Sequence, residues 1–169
     1  MKKLINKTII LSLFVALTGC NDWLDVSPKA DMKAEDLFGT EAGFRDALVG
    51  VYALMCGTNS YGRDLTYGYL DVLAQYYNSP LKTTSSGYEH NFKNAAEYKY
   101  TEKTEESRIS SIWSNHFSAV ANINQAMLFI DENKGVFTSP EVHDVYKGEF
   151  LALRAFLHFD ILRLFAPSA

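Results

Sequence analysis

The spacing of apolar residues predicts a chain built from helices. Three stretches carry apolar residues at intervals of three and four, which is the repeat of one helix face. The first stretch begins at Thr40, a helix-capping residue followed by Glu41, and ends near Gly57. We therefore expect an all-α fold. The predicted buried face of this first helix consists of Phe44, Ala47, Leu48, Val51 and Met55.

The second apolar stretch predicts a long helix over residues 105–131. Trp113 and Phe117 fall within its stripe, and an aromatic residue at helical spacing inside an apolar face is most often a core residue. We therefore expect both rings to be buried. The predicted stripe consists of Ile109, Ile112, Trp113, Phe117, Val120, Ile123, Met127 and Ile130.

The third stretch predicts a helix from about Pro140 to Phe165. Thr138 and Glu141 match a capping box, and Ser139 is the alternative cap. The second half of this helix is apolar around most of its circumference. Such a helix is expected to be buried on several sides.

The segment between the first two long helices is rich in aromatic residues. Residues 67–77 predict a shorter helix, whose four tyrosines cannot all face one core. Residues 78–106 predict a long irregular connection, with a strand within 97–101 as an alternative. Connections of this length are usually functional or mobile.

The first nineteen residues have the organisation of an export signal. Three lysines precede a short apolar run, and Leu17-Thr18-Gly19-Cys20 resembles the lipobox of bacterial lipoproteins, in which the cysteine is acylated. We expect residues 1–19 to be a lipoprotein signal peptide, 20–39 a lipid anchor with an extended tether, and 40–169 a helical domain. An ordinary secretory signal with a chance cysteine is the alternative.

Charge and cysteine content narrow the classes of partner. The signal segment has three lysines and no acidic residue, so its removal lowers the formal charge from −4 to −7. A chain of this charge is a poor partner for nucleic acid. If Cys20 is acylated, Cys56 has no intramolecular partner, and we expect Cys56 to be a small buried side chain beside Met55.

Three segments of the chain, residues 23–28, 113–127 and 148–165, read WLDVSP, WSNHFSAVANINQAM and GEFLALRAFLHFDILRLF. In this order they resemble segments of SusD/RagB-like outer-membrane nutrient-binding lipoproteins. Members of that family run to several hundred residues. We therefore expect residues 40–169 to be the amino-terminal, apparently truncated part of such a protein.

The resemblance implies both a fold and a function. The fold would be an incomplete tetratricopeptide-like superhelix with a long irregular loop. The protein would be lipid-anchored in the cell outer membrane and face outward. There it would bind an oligosaccharide and deliver it to a SusC-like TonB-dependent transporter. The alternative is a truncated remnant that binds no glycan and acts only as a helical interaction module on the transporter.

Glycan binding requires exposed aromatic rings that can stack on the flat faces of sugars. Tyr67, Tyr76, Tyr88 and Tyr98 are the candidate residues, although none matches a motif of the family. Because the connection that carries several of these rings has little predicted regular structure, each ring would have to be ordered on binding. We therefore expect the isolated chain to bind glycans weakly or not at all.

The sequence offers little support for an enzyme. Glu105 and Glu106 are adjacent at a helix start, which indicates a solvated pair favoured by the helix dipole rather than an acid and base across a bond. The four histidines have no zinc-ligand spacing. No phosphate-binding loop or nucleophile elbow is present. We expect a binding protein with no metal and no cofactor.

Overall fold

The computed structural model describes residues 33–77 and 92–167. Within these two ranges the regular structure is helical and contains no strand, which confirms the all-α class. The strand considered for 97–101 is wrong, because those residues form a turn. The superhelical arrangement stays a prediction. The elements are α1 (Ala34–Leu37), α2 (Glu41–Met55), α3 (Tyr69–Leu73), α4 (Lys93–Ala96), α5 (Lys103–Phe129), a 3-10 turn (Lys134–Val136) and α6 (Pro140–Phe165).

The chain divides into two units, Met1–Lys33 and Ala34–Ala169. Of the first unit only Lys33 is described, so the predicted signal peptide and Cys20 lie outside the described residues. The second unit carries all the helices given above. Its first element, α1, and the buried Phe38 fall within the range 20–39.

Helix α2 follows the predicted pattern. The side chain of Thr40 accepts a hydrogen bond from the backbone N–H of Gly43 at 3.1 Å, which confirms Thr40 as the cap. Phe44, Leu48 and Val51 are buried as predicted. Cys56 occupies the C-cap position and is exposed, so the expectation that it is buried is wrong. The last turn of α2 leaves this side chain outside the core.

Gly43 allows α1 and α2 to approach closely. A Cβ atom at this position would lie 1.6 Å from the carbonyl oxygen of Leu37, which is far inside van der Waals contact. With glycine there, the ring of Phe38 lies 5.0 Å from that of Phe44, centroid to centroid. Gly43 is therefore required by packing against the preceding turn.

The larger core lies where α2 and α6 pack against α5. The rings of Phe44 and Phe137 are 4.9 Å apart, and both Phe44 and Phe150 are fully buried. The buried members of this core are Phe38, Phe44, Leu48, Val51, Ala119, Val120, Ile123, Ala126, Ile130, Phe137, Phe150, Leu153 and Leu157.

A smaller core joins α3 and α4 to the first half of α5. Its buried members are Leu65, Tyr69, Val72, Ala95 and Ile112. Helix α3 covers only part of the predicted helix over 67–77, since it has one and a half turns. The long connection likewise contains a helix that the sequence did not predict, α4, directly before the turn that leads into α5.

The prediction that Trp113 and Phe117 are core residues is wrong. Trp113 is 43% exposed and Phe117 is 38% exposed, and their rings pack on each other with centroids 4.5 Å apart. Ile112, Val120 and Ile123 are buried as predicted, and the buried stripe of α5 also includes His116, Ala119 and Ala126. These residues share the face of α5 that the neighbouring helices cover, and the rings of Trp113 and Phe117 lie at the edge of that face.

Of the two caps predicted for α6, the structure shows Ser139 and not Thr138. Ser139 is the cap and accepts a hydrogen bond from the backbone N–H three residues later. The backbone N–H and the hydroxyl of Thr138 instead both donate to Glu41 Oε2, each at 2.7 Å. These bonds hold the pKa of Glu41 below its ordinary value. The starts of α2 and α6 are thereby joined.

Helix α6 is not buried on several sides among the described residues. Helices α2 and α5 cover the face that carries Phe150, Leu153 and Leu157. The opposite side remains exposed because no described element packs there. Its large apolar residues include Leu151, Phe159 and Leu162. The ring of Phe156, which is 47% exposed, lies against that of Tyr61 with centroids 5.4 Å apart.

Buried and partly exposed aromatic residues should differ in their contribution to the free energy of unfolding. Phe44→Ala removes a fully buried ring and should lower the free energy of unfolding by about 3–5 kcal/mol. Trp113→Ala removes a half-exposed ring and should lower it by about 1–2 kcal/mol. Urea denaturation of both variants measures this difference. A loss for Trp113→Ala as large as that for Phe44→Ala would contradict the placement of Trp113 at the edge.

Candidate functional site

Five exposed tyrosines lie around α3 and the turn that follows α4. We call them the tyrosine surface. Their side chains are between 47% and 77% exposed, whereas Tyr69 on the same segment is buried. This arrangement agrees with the expectation that the tyrosines of residues 67–77 do not share one core. The tyrosine surface consists of Tyr67, Tyr76, Tyr77, Tyr98 and Tyr100.

Hydrogen bonds to backbone carbonyls anchor three of these side chains. The hydroxyl of Tyr67 donates to Gly62 O at 2.9 Å, and that of Tyr98 donates to Leu73 O at 2.9 Å. The hydroxyl of Tyr77 donates to Tyr67 O. The hydroxyl ends are therefore tied to the fold while much of each ring stays exposed to solvent.

Three of the four predicted glycan-binding residues lie in this surface. Tyr67, Tyr76 and Tyr98 are brought into one neighbourhood by α3, α4 and the bonds between them. Tyr88 lies outside the described residues. Sequence reasoning did not select Tyr77 and Tyr100 as candidates, although Tyr100 has its ring centroid 6.2 Å from that of Tyr98. The density of tyrosines in both segments was the signal that could have identified them.

An apolar pocket of about 300 Å³ adjoins the tyrosine surface. Tyr100 belongs to both, and the end of α6 contributes Phe165 to the pocket wall. The ring of Phe165 also meets that of Trp113 edge-on at 5.0 Å. The lining residues are Leu65, Tyr69, Leu70, Leu73, Tyr100, Ile109, Ile112, Leu164 and Phe165.

A buried polar cluster lies beside α3. The carboxylate of Asp64 is 2% exposed and accepts from Arg63 Nε at 2.7 Å and from Arg108 Nη1 at 3.5 Å. The guanidinium of Arg108 also lies over the ring of Phe92, 4.5 Å from its centroid. These contacts connect the loop before α3, the start of α4 and the first half of α5.

Glu105 belongs to this cluster, so the expectation of a solvated pair is wrong for it. Its side chain is fully buried whereas that of Glu106 is exposed. The nearest cation is Arg108, whose Nε lies 3.8 Å from Glu105 Oε2, and no described residue hydrogen-bonds to either carboxyl oxygen. The first turn of α5 points Glu105 inward, where tertiary neighbours rather than the helix dipole decide its surroundings.

Burial controls the ionisation of two residues in this cluster. Loss of solvent raises the pKa of Glu105, and repulsion from Asp64 adds to this, while attraction to Arg108 opposes it. Burial also raises the pKa of Tyr69 to about 12, helped by the nearby charge of Glu105. The neutral form of Glu105 is thus favoured in the folded chain relative to the unfolded chain.

A second polar network joins the loop before α3 to the long helices. The hydroxyl of Tyr61 donates to Asp160 Oδ2 at 2.6 Å, and Arg163 Nη2 donates to Asp160 Oδ1 at 2.8 Å. The buried ring of His116 approaches the same hydroxyl at 3.4 Å through Nε2. Burial and the bond to Asp160 raise the pKa of Tyr61 well above its ordinary value. Asp160 and Arg163 lie three residues apart on α6, so their pairing spans one turn of the helix.

Among the residues that the structure describes, no group of three or more His, Cys, Asp and Glu side chains is placed to hold a metal ion. None of the described helices has the length and apolar character needed to cross a membrane.

A family model described as SusD-like, starch-binding associating with outer membrane, matches residues 22–169. The chain therefore belongs to the SusD-like family, a family of binding proteins associated with the outer membrane, and the resemblance seen in the sequence is confirmed. Comparison with curated proteins and with solved structures gave no match.

The raised pKa of Glu105 predicts a pH-dependent loss of stability. A group whose pKa is higher in the folded state stabilises the fold below its unfolded value, here about 4.5, and loses that contribution as pH rises through the folded value. Glu105→Gln removes the ionisation. The melting temperature of this variant relative to wild type should therefore rise as the pH increases above about 4.5.

Glu106→Gln is the matched control, because it removes an exposed carboxylate from the same helical turn. Melting temperatures of the wild type, Glu105→Gln and Glu106→Gln are measured across this pH range. If both variants show the same pH dependence, the burial of Glu105 does not cause the pH-dependent loss of stability.

Proposed function

We propose that this chain is an outward-facing outer-membrane lipoprotein that binds oligosaccharides on its tyrosine surface and delivers them to a SusC-like TonB-dependent transporter. The observation that carries the proposal is the tyrosine surface itself. Five exposed rings lie together on a chain whose family is described as starch-binding and associated with the outer membrane.

The chemistry of the surface suits a sugar ligand. A sugar ring has flat C–H faces and a rim of hydroxyl groups, so it binds by stacking on aromatic faces and by hydrogen bonds at their edges. The hydroxyls of Tyr67, Tyr77 and Tyr98 donate hydrogen bonds to backbone carbonyls, and each hydroxyl oxygen can still accept a hydrogen bond from a sugar hydroxyl. The rings thus supply faces and acceptors together.

The backbone anchors reduce the entropy lost on binding. An unfixed side chain loses about 0.5–1.5 kcal/mol when a ligand orders it, which is comparable to the gain from one stacked ring. Tyr67, Tyr77 and Tyr98 are already held at their hydroxyl ends. For these three rings the gain from stacking on a sugar therefore exceeds the entropy lost on ordering the side chain. Tyr76, at 77% exposed, is the least constrained of the five.

Membrane attachment is assigned to acyl chains on Cys20. Each buried CH₂ group of a lipid chain contributes about 0.8 kcal/mol, so two or three chains on one residue give stable anchoring. Residues 20–39 would then link the anchored cysteine to α2. The transporter partner follows from the resemblance and is part of the proposal.

Cys20→Ala tests the lipid anchor. The variant should lose incorporation of a radiolabelled fatty acid and leave the membrane fraction, because the acylated thiol is absent. Cys56→Ala is the matched control, since it removes the other cysteine, which is exposed on the helical unit. If Cys20→Ala remains in the membrane fraction, the chain is held by something other than the lipid on Cys20.

Calorimetric titration of the mature chain with maltooligosaccharides and other glycans tests the binding surface. We expect weak binding, with a dissociation constant of about millimolar order. Alanine at Tyr67, Tyr76 or Tyr98 should weaken it by about twofold to tenfold, the loss of one stacked ring. Tyr52→Phe, on α2, is the control.

The remaining outcomes separate the alternatives. A micromolar constant would indicate a site that is already fully formed in this chain. Binding that survives all three alanine substitutions would place the site elsewhere. If no glycan binds, an interaction module that contacts only the transporter becomes the better description.

A further inference from the structure

Two residues with left-handed backbone conformation lie at the base of the tyrosine surface. Gln75 has φ of +58° and Tyr98 has φ of +55°. No other described residue apart from glycine has a positive φ. This conformation is disfavoured for side chains with a Cβ atom, and for a residue as bulky as tyrosine it is unusual. Strain of this kind persists only where the surrounding structure imposes it.

The side chains of these two residues bond to each other's segments. The amide of Gln75 donates to Ala96 O at 3.1 Å and to Val72 O at 3.2 Å. Both acceptors are carbonyls, so the NH₂ group must face them. In return, the hydroxyl of Tyr98 donates to Leu73 O at 2.9 Å. We call this pair of reciprocal bonds the Gln75–Tyr98 clamp.

The clamp uses acceptors that short helices leave open. The last carbonyls of a helix have no partner within it, and Leu73 and Ala96 are the final residues of α3 and α4. Each left-handed residue follows one of these helices and directs its side chain to the end of the other. The clamp therefore joins the two chain segments on either side of residues 78–91.

We propose that Gln75 is a positioning residue of the tyrosine surface. Tyr76 and Tyr77 directly follow Gln75, whereas Tyr98 and Tyr100 belong to the other clamped segment. The clamp thus sets the placement of one pair of rings relative to the other. The role of the clamp rests on the proposed glycan function. An oligosaccharide that contacts both pairs of rings needs the two pairs at a fixed spacing, whereas a short sugar bound to one ring does not.

Amide hydrogen exchange tests the clamp without any ligand. The N–H groups of Tyr98 and Lys99 bond to Ala95 O and Asn94 O within the turn after α4. In Gln75→Ala and in Tyr98→Phe their exchange should become about fivefold faster or more, since a hydrogen bond that holds the turn is lost. Unchanged exchange in both variants would overturn the clamp.

Two controls and one further variant separate the clamp from general effects. Gln125→Ala removes an exposed glutamine from α5, and Tyr52→Phe removes a tyrosine hydrogen bond to Glu149; neither should change exchange at Tyr98. Gln75→Gly adopts positive φ without strain but has no amide. It should melt higher than Gln75→Ala and show the same faster exchange. If it keeps wild-type exchange, the side chain of Gln75 is not the clamp.

Titration then tests the positioning role. Gln75→Ala should weaken binding of a long maltooligosaccharide by about fivefold to tenfold and that of maltose much less, because all five rings remain. Equal affinity of wild type and variant for the long ligand, with faster exchange, would overturn positioning. A wild-type chain that binds neither ligand overturns the proposed function and the role given to Gln75, while exchange still decides whether the clamp exists.

Discussion

The burial of one face of α5 between α2 and α6 is the interaction on which the other features depend. The second half of α5 lies in the larger core, where Ile123 and Ile130 are fully buried. Its first half extends to the smaller core, which Ile112 shares with α3 and α4. A helix of 27 residues is roughly 40 Å long. Helix α5 is held in the larger core by its second half, and its first half provides the surface on which the short helices α3 and α4 pack. Helices as short as these are not stable alone.

Much of the fold could be predicted because its signals are local. The cap at Thr40 and the repeat of apolar residues placed α2, and Ser139 was one of two predicted caps for α6. The stripe of α5 was predicted in part, since Ile123 and Ile130 are buried as expected. Trp113 and Phe117 were wrongly included because a count of apolar positions gives most weight to large rings. Packing instead selected small side chains, such as Ala119, for the crowded face. The burial of Glu105 was missed since it depends on neighbours that are distant in sequence.

The candidate site was less predictable. The number of tyrosines drew attention to Tyr67, Tyr76 and Tyr98, but composition carries no information on which rings lie together. The left-handed conformation of Gln75 has no sequence signal, because glycine or asparagine is the usual indicator of positive φ. The hydrogen bond from its amide to the carbonyl of Ala96, 21 positions away, is visible only in three dimensions. Hydrogen bonds between segments distant in sequence decide which aromatic residues lie together on one surface, and the sequence alone does not show them.

At Gly43 the backbone of α2 lies too close to Leu37 for any side chain to fit. Every amino acid other than glycine adds a Cβ atom, and here that atom would overlap the carbonyl of Leu37. Selection should therefore retain glycine at this position across relatives that share the α1–α2 turn, whatever each of them binds. Invariance there would be a record of steric exclusion. It would carry no information about ligand, partner or transport.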